Sequence, residues 1–221
     1  MVELVCDAIV FDLDGVLVDS SVVVERHWRR WAKRHGVDYA RIAAVMHGRR
    51  SAEVMALVAP HLDAAGESLD FEVHEAVDTE GLRVFDGAAA LLQQLPPRKW
   101  GIATSGTALT AATRLRFGRL PVPAVLVTAE DVSRGKPDPD AYLLTADRLG
   151  IAPSSCVVVE DSPAGVVAAH GAGARTVAVL TTHRAAALAA AELIVSGIES
   201  LHVDAQSARL VISARVTAPS A

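Results

Sequence analysis

A repeated alternation constrains this chain more than any other feature. Short apolar runs occur at LVCDAIVF (4–11), WGIAT (100–104), AVLVT (124–128), CVVVE (156–160), TVAVL (176–180) and ELIVS (192–196). Segments of helical periodicity at 88–95, 107–117, 139–149 and 163–171 separate most of them. Strands of about five residues alternating with helices of about 8–12 spell βαβ units and a parallel sheet. The runs are apolar throughout, which fits strands covered by helices on both faces. The expected fold is α/β, a Rossmann-like core around a central, mostly parallel sheet.

One stretch breaks that rhythm. Residues 18–81 hold no strong strand run, only helix-like segments at 20–35, about 39–46, 50–59 and 68–77. HGVD at 35–38 marks the first break. At PHLD (60–63), Pro60 and the nearby Gly66 are expected to interrupt helical continuation. Residues 18–81 thus read as an inserted four-helix-type cap, with the core made of 1–17 and 82–221. A chain of 221 residues with 51% apolar composition suffices for a well-buried core plus such a module. Trp28 and Trp31, three apart on one helix face, read as packing residues. The tail, 205–221, either frays or adds an edge element.

Several strand-like runs finish in reactive groups. Asp12 and Asp14 follow the first, Thr104 and Ser105 follow WGIA, Lys136 sits in RGKPDP after the third, and Glu160 and Asp161 follow CVVV. In an open parallel sheet, ligands bind beyond the carboxyl ends of the strands. Carboxylates as close as Asp12 and Asp14 repel unless a cation or proton stabilises them. With Asp161 as a third, these hard oxygen ligands suit Mg²⁺, which completes its shell with water and substrate phosphate. A carboxylate nucleophile can then accept a phosphoryl group. Thr104, Ser105 and Gly106, ahead of a helix beginning near Thr107, offer a hydroxyl and N–H groups to phosphate. Lys136 adds a point charge, and Glu160 either touches the metal through water or balances Lys136. Taken singly, these segments also read as an Asp-rich turn, a capping turn and a surface lysine. Their joint placement at separate strand ends speaks for phosphoryl chemistry.

Together, FDLDG, TSG, GKPDP and EDS resemble the four motifs of the haloacid-dehalogenase-like (HAD) phosphohydrolase superfamily, and the resemblance spans nearly the whole chain. It implies Asp12 as nucleophile, Asp14 as general acid/base with its backbone carbonyl on the metal, and Thr104 and Lys136 on the phosphoryl group. Asp161 would complete the Mg²⁺ site, beside Glu160 as an acidic partner. The insertion after the first motif resembles the helical-cap subclass. Within it, HGRRSAEVMALVAP (47–60), LPPRKWGIATSGT (95–107), TAEDVSRGKPDPDAYL (128–143) and VVVEDSPAGVVAA (157–169) look most like glycerol-3-phosphate phosphatases and their sugar- and polyol-phosphatase relatives. The activity implied is Mg²⁺-dependent hydrolysis of a small sugar- or polyol-phosphate monoester through an aspartyl-phosphate. Selectivity is expected from the cap, where His47, Arg49 and Arg50 form a candidate substrate patch; the resemblance favours Arg50 over Arg49. Glu25 is a further candidate for the cleft.

The alternatives differ in kind. A phosphosugar mutase of the beta-phosphoglucomutase type would carry a His and a Lys where this chain has Val24 and Thr107. A dehalogenase would not need a cation between Asp14 and Asp161, and a noncatalytic phosphosugar-binding protein would not need Asp12 and Asp14. A net charge of −5 without a basic stripe argues against nucleic acid as a partner. No apolar run reaches membrane-spanning length. The start MVELVCDAIVFDLDG lacks the basic segment of a signal peptide, so a soluble, cytoplasmic protein is expected. Cys6 and Cys156 read as buried thiols, and the assembly as a monomer or weak dimer.

Overall fold

The computed structural model describes residues 2–205 and 208–214. In chain order, the elements begin with β1 (Val2–Cys6), β2 (Ala8–Phe11) and β3 (Val18–Asp19). Four helices follow: α1 (Ser21–His35), α2 (Tyr39–Ala43), α3 (Ser51–Val58) and α4 (Ala64–Val77). Next come β4 (Arg83–Val84), α5 (Ala88–Gln94), β5 (Trp100–Ala103), α6 (Ala108–Gly118), β6 (Leu126–Val127), α7 (Asp140–Leu149), β7 (Cys156–Glu160) and α8 (Pro163–Gly171). β8 (Arg175–Val179), β9 (Leu193–Val195), β10 (Leu201–Asp204) and β11 (Leu210–Ala214) complete the chain's described part.

Side chains alternate across the main sheet. In β2, Ile9 and Phe11 join one buried cluster while Ala8 and Val10 join another. β7 divides Val157 and Val159 from Cys156 and Val158 in the same way. Leu91 and Leu92 of α5 and Leu115 of α6 cover the first face, and Tyr142 of α7 and Ala168 of α8 cover the second. Both faces are dry, so β2 at the centre of the sheet is apolar at every position. The sheet has six parallel strands in the order β6-β5-β2-β7-β8-β9. The α/β expectation holds.

Three details depart from the sequence reading. The first apolar run is two strands, broken at Asp7: β2 lies in the main sheet, while β1 pairs antiparallel with β11. β11 sits between β1 and β10 in a separate three-stranded sheet, which gives the tail a defined place. Residues 206–207 and 215–221, read from sequence as part of the core, lie outside the described residues. Gly66 does not interrupt a helix; it falls in the first turn of α4, which starts at Ala64. A Cβ there would come 2.7 Å from an Asp63 carboxylate oxygen, so the glycine leaves room for that side chain.

Helices α1–α4 lie between β3 and β4 in the chain and share their own apolar cluster. Trp28 and Trp31 pack edge to face with ring centroids 5.7 Å apart, and Trp28 also meets Phe71 at 4.5 Å. The two short strands beside these helices pair with each other, Val18 opposite Val84 and Asp19 opposite Arg83. Among the described residues, no helix is long and apolar enough to cross a membrane.

Candidate active site

Strand register gathers the polar strand ends. Phe11 lies level with Ile102 of β5 and Val159 of β7, so Asp12, Thr104 and Glu160 come together at the carboxyl ends of the strands. A cavity of about 220 Å³ opens there. Asp12, Asp14, Thr104, Ser105, Gly106 and Asp161 line its floor, and His47 and Arg49 line it from the helical side.

Lys136 is completely buried beneath that floor. Its Nζ donates to Asp12 Oδ1 at 2.5 Å, to Glu160 Oε1 at 2.7 Å and to the Ala103 carbonyl at 3.3 Å. Burial alone would push this ammonium down; the Asp12 and Glu160 carboxylates reverse that and hold it well above its usual range. Lys136 does not line the cavity itself and reaches it through Asp12. Burial pushes Asp12 up to about 7, against the pull of Lys136. No protein donor among the described residues reaches Asp12 Oδ2.

Glu160 spends every carboxylate lone pair on local structure. Tyr142 donates to Oε1 at 2.7 Å, and Oε2 accepts from Asp161 N, Ser162 N and Ser162 Oγ at 2.9–3.0 Å. Ser162 Oγ in turn accepts from Gly165 N at 3.1 Å and caps α8, with Pro163 in the first helical position. A Cβ on Gly165 would stand 1.7 Å from Glu160 Oε1, so only glycine fits. Glu160 therefore balances Lys136 and builds the turn that presents Asp161.

Asp161 accepts from Thr182 Oγ1 at 2.5 Å. Burial, then the Glu160 and Asp12 charges, push it well above the ordinary carboxylate range. Gly15, at φ 88°, lies against it: a Cβ there would be 2.2 Å from Oδ2. Three carboxylates, Asp12, Glu160 and Asp161, thus lie near one buried ammonium, which bonds only Asp12 and Glu160 among them. The surplus negative charge, hard oxygen donors and common cavity fit a small divalent cation. Only two of these carboxylates line the cavity. No group of three His, Cys, Asp or Glu side chains is arranged as a metal cage among the described residues. Such an ion would hence complete its shell with the Asp14 carbonyl, water and substrate oxygens.

Asp14 lines the cavity with its side chain 27% exposed. Arg114, from α6 and completely buried, donates through Nε to Asp14 Oδ1 at 3.1 Å. Its Nη2 pairs with Glu75 of α4. Burial pushes Glu75 up to about 7 despite that guanidinium. Sequence reading missed both residues, since neither sits in a strand-end motif. Tyr142 was missed for the same reason, and Thr182, just past β8, because TTHR matches none of the motifs read from the sequence.

Around TSG, Thr104 Oγ1 accepts from Gly106 N at 3.0 Å, and Ser105 Oγ donates to the Gly48 carbonyl at 2.8 Å. Thr107 caps α6 by accepting from Thr110 N. The first free N–H of that helix, on Ala108, already goes to Glu130 at 3.0 Å, leaving anion binding to the turn before it.

The two arginines of the cap patch part ways. Arg49 lines the cavity; Arg50 turns to the core loop, donating to the carbonyls of Val132 at 3.1 Å and Ser133 at 2.9 Å and pairing with Glu53. Glu53 also accepts from Gly135 N at 2.8 Å, next to Lys136. His47 packs edge to face on His183, centroids 5.0 Å apart, and burial lowers its pKa. Glu25 pairs with Arg29 and is not among the cavity residues. The lining also includes Val24, Trp28, Phe71, Ser51, Glu72, Thr107 and Thr110.

Comparison with known proteins finds relatives over most of the chain. The chain matches the haloacid dehalogenase-like hydrolase family over residues 6–173. It is 43% identical to Hexitol phosphatase A of Escherichia coli, covering 91% of this chain and 95% of that one. It is 40% identical to Validoxylamine A 7'-phosphate phosphatase of Streptomyces hygroscopicus, covering 83% and 90%. Among solved structures, a hydrolase from Pseudomonas syringae superposes with a TM-score of 0.77 at 28% identity, covering 86% of this chain and 92% of that one.

Proposed function

The chain belongs to the haloacid dehalogenase-like hydrolase family, and we propose that it hydrolyses a small sugar- or polyol-phosphate monoester. The observation that carries the reading is Asp12, fixed through one oxygen by a buried lysine and left free at the other, inside a cavity it shares with Asp14 and Asp161. Asp12 Oδ2 attacks phosphorus, the bond to the substrate alcohol breaks, and an aspartyl-phosphate forms. Asp14 gives its proton to the departing alcohol oxygen. It then takes one from the water that cleaves the aspartyl-phosphate, restoring Asp12 and releasing inorganic phosphate. Thr104, Ser105 and Gly106 orient the phosphoryl oxygens. When bound, Mg²⁺, held by the Asp12 and Asp161 carboxylates and the Asp14 carbonyl, supplies charge neutralisation at phosphorus.

Residues 18–81 act as the cap that encloses the alcohol and excludes water. The inner lining supports a polyhydroxy leaving group. Ser51, Thr107, Thr110 and Glu72 exchange hydrogen bonds with hydroxyls, while Trp28 and Phe71 offer apolar faces to carbon. The substrates named for the relatives, a hexitol phosphate and validoxylamine 7'-phosphate, are of this class. A mutase needs a place for a second phosphate. Here Val24 and Thr107 line the cavity together with Glu72 and Glu75, which repel one.

Phosphate release from hexitol, pentitol, glycerol and hexose phosphates, compared by kcat/KM with and without Mg²⁺, tests the reading. Chelation should abolish turnover and Mg²⁺ restore it. Asp12→Asn should keep the fold and stop phosphate release; substantial remaining turnover would remove Asp12 as the nucleophile.

A further inference from the structure

Arg114 is the least expected residue near the cavity. A fully buried guanidinium is costly unless each of its donors finds a partner. Its partners divide between two parts of the molecule. Nε takes Asp14 Oδ1 of the core at 3.1 Å, whereas Nη2 takes the Glu75 carboxylate and Nη1 reaches the Asp78 carbonyl at 3.4 Å, both at the end of α4. Asp14 Oδ2 receives no protein donor among the described residues. One oxygen of Asp14 is therefore fixed and the other stays available to the leaving group.

We propose that Arg114 is a positioning residue that aims Asp14 at the leaving oxygen only while α4 is docked, so that acid catalysis is coupled to seating of the helical segment. The inference rests on Asp14 as the proton donor. Were α4 to withdraw, the guanidinium would lose Glu75 and the Asp78 carbonyl together. It would no longer be held where Nε meets Asp14. Glu75 itself lines the cavity, so the clamp closes around the space the alcohol occupies. Water exclusion and correct aim of the acid then arrive together, before phosphoryl transfer commits.

Leaving-group dependence tests this. A hexitol phosphate needs its alkoxide protonated, whereas p-nitrophenyl phosphate releases a phenolate that leaves without a proton. Comparing kcat/KM for the two isolates transfer to Asp12. General-acid assistance is worth about 10²–10⁴, so Asp14→Asn should lower the hexitol phosphate value at least about tenfold more than the aryl value. Arg114→Gln should show the same bias, and Glu75→Ala a smaller bias in the same direction, about threefold to tenfold. If Asp14→Asn shows the bias while the other two lower both esters equally, Arg114 only supports packing and the inference fails with the acid intact. If Asp14→Asn shows no bias, the acid assignment fails first and the inference with it. Should Arg114→Gln not fold, judged by thermal melting, Glu75→Ala decides, because it leaves the arginine in place.

Discussion

A glycine and a carboxylate show how tightly single atoms are fixed beside Asp161. Gly165 sits where any side chain would overlap Glu160 Oε1 at 1.7 Å, and Glu160 links Lys136 to the 161–162 turn. Gly165→Ala should therefore shift Glu160, cost about 2–4 kcal/mol of stability, and lower phosphate release more than Mg²⁺-independent folding would suggest. Urea denaturation beside steady-state kinetics checks both. Asp12, Thr104, Glu160 and Asp161 were legible in the sequence because each ends or directly follows a recognisable strand. Arg114 was not, because its meaning lies in carboxylates 39 and 100 positions away that only the folded chain brings together. Arg50 shows the reverse case: it stood with Arg49 as a candidate substrate contact, favoured by the resemblance, and its hydrogen bonds go to the 132–133 carbonyls.

At the level of elements, one carboxylate ties α1 to the end of α4, beside the aromatic contacts the two helices share. Asp78, just past α4, accepts from Arg26 Nη2 at 2.7 Å and pairs with His27 Nε2 at 2.9 Å, both on α1. Burial raises its pKa, but the hydrogen bonds from Arg26, His27 and Glu80 N together outweigh burial and bring it to about 2. A carboxyl whose folded pKa lies below its unfolded value, about 3.9, stabilises the fold while ionised. That contribution is complete above about pH 4 and fades as pH falls toward about 2. Asp78→Asn should cost no more than about 1 kcal/mol at neutral pH, given partial solvent screening. The difference from wild type, followed by urea denaturation, should begin to shrink below about pH 4; a pH-independent difference would assign the effect to packing. The helices and parallel strands were readable from periodicity. The Asp7 break between β1 and β2 was not, since one polar residue in an apolar run leaves the pattern looking continuous, and two-residue strands such as β3 and β4 have no period to read.

Across the whole molecule, the helices meet the core at several separate points: Arg50 and Glu53 on the 132–135 loop, Gly48 on Ser105, and Glu75 on Arg114. Arg50 contributes to docking rather than to the cavity wall, so Arg50→Ala should raise KM by a similar factor for every ester, about threefold to tenfold if one or two hydrogen bonds are lost. A loss confined to some esters would return Arg50 to a substrate-sorting role. The route by which the chain enters and leaves these helices has a consequence of its own. Val18 faces Val84 and Asp19 faces Arg83, so both feet of the excursion are stitched side by side. Whatever hangs from that stitch can grow, shrink or be traded for another fold without moving a strand of the main sheet. Length changes between those feet can thus be absorbed without altering the register of the six-stranded sheet, so long as the contacts at Glu75 and Arg50 are kept.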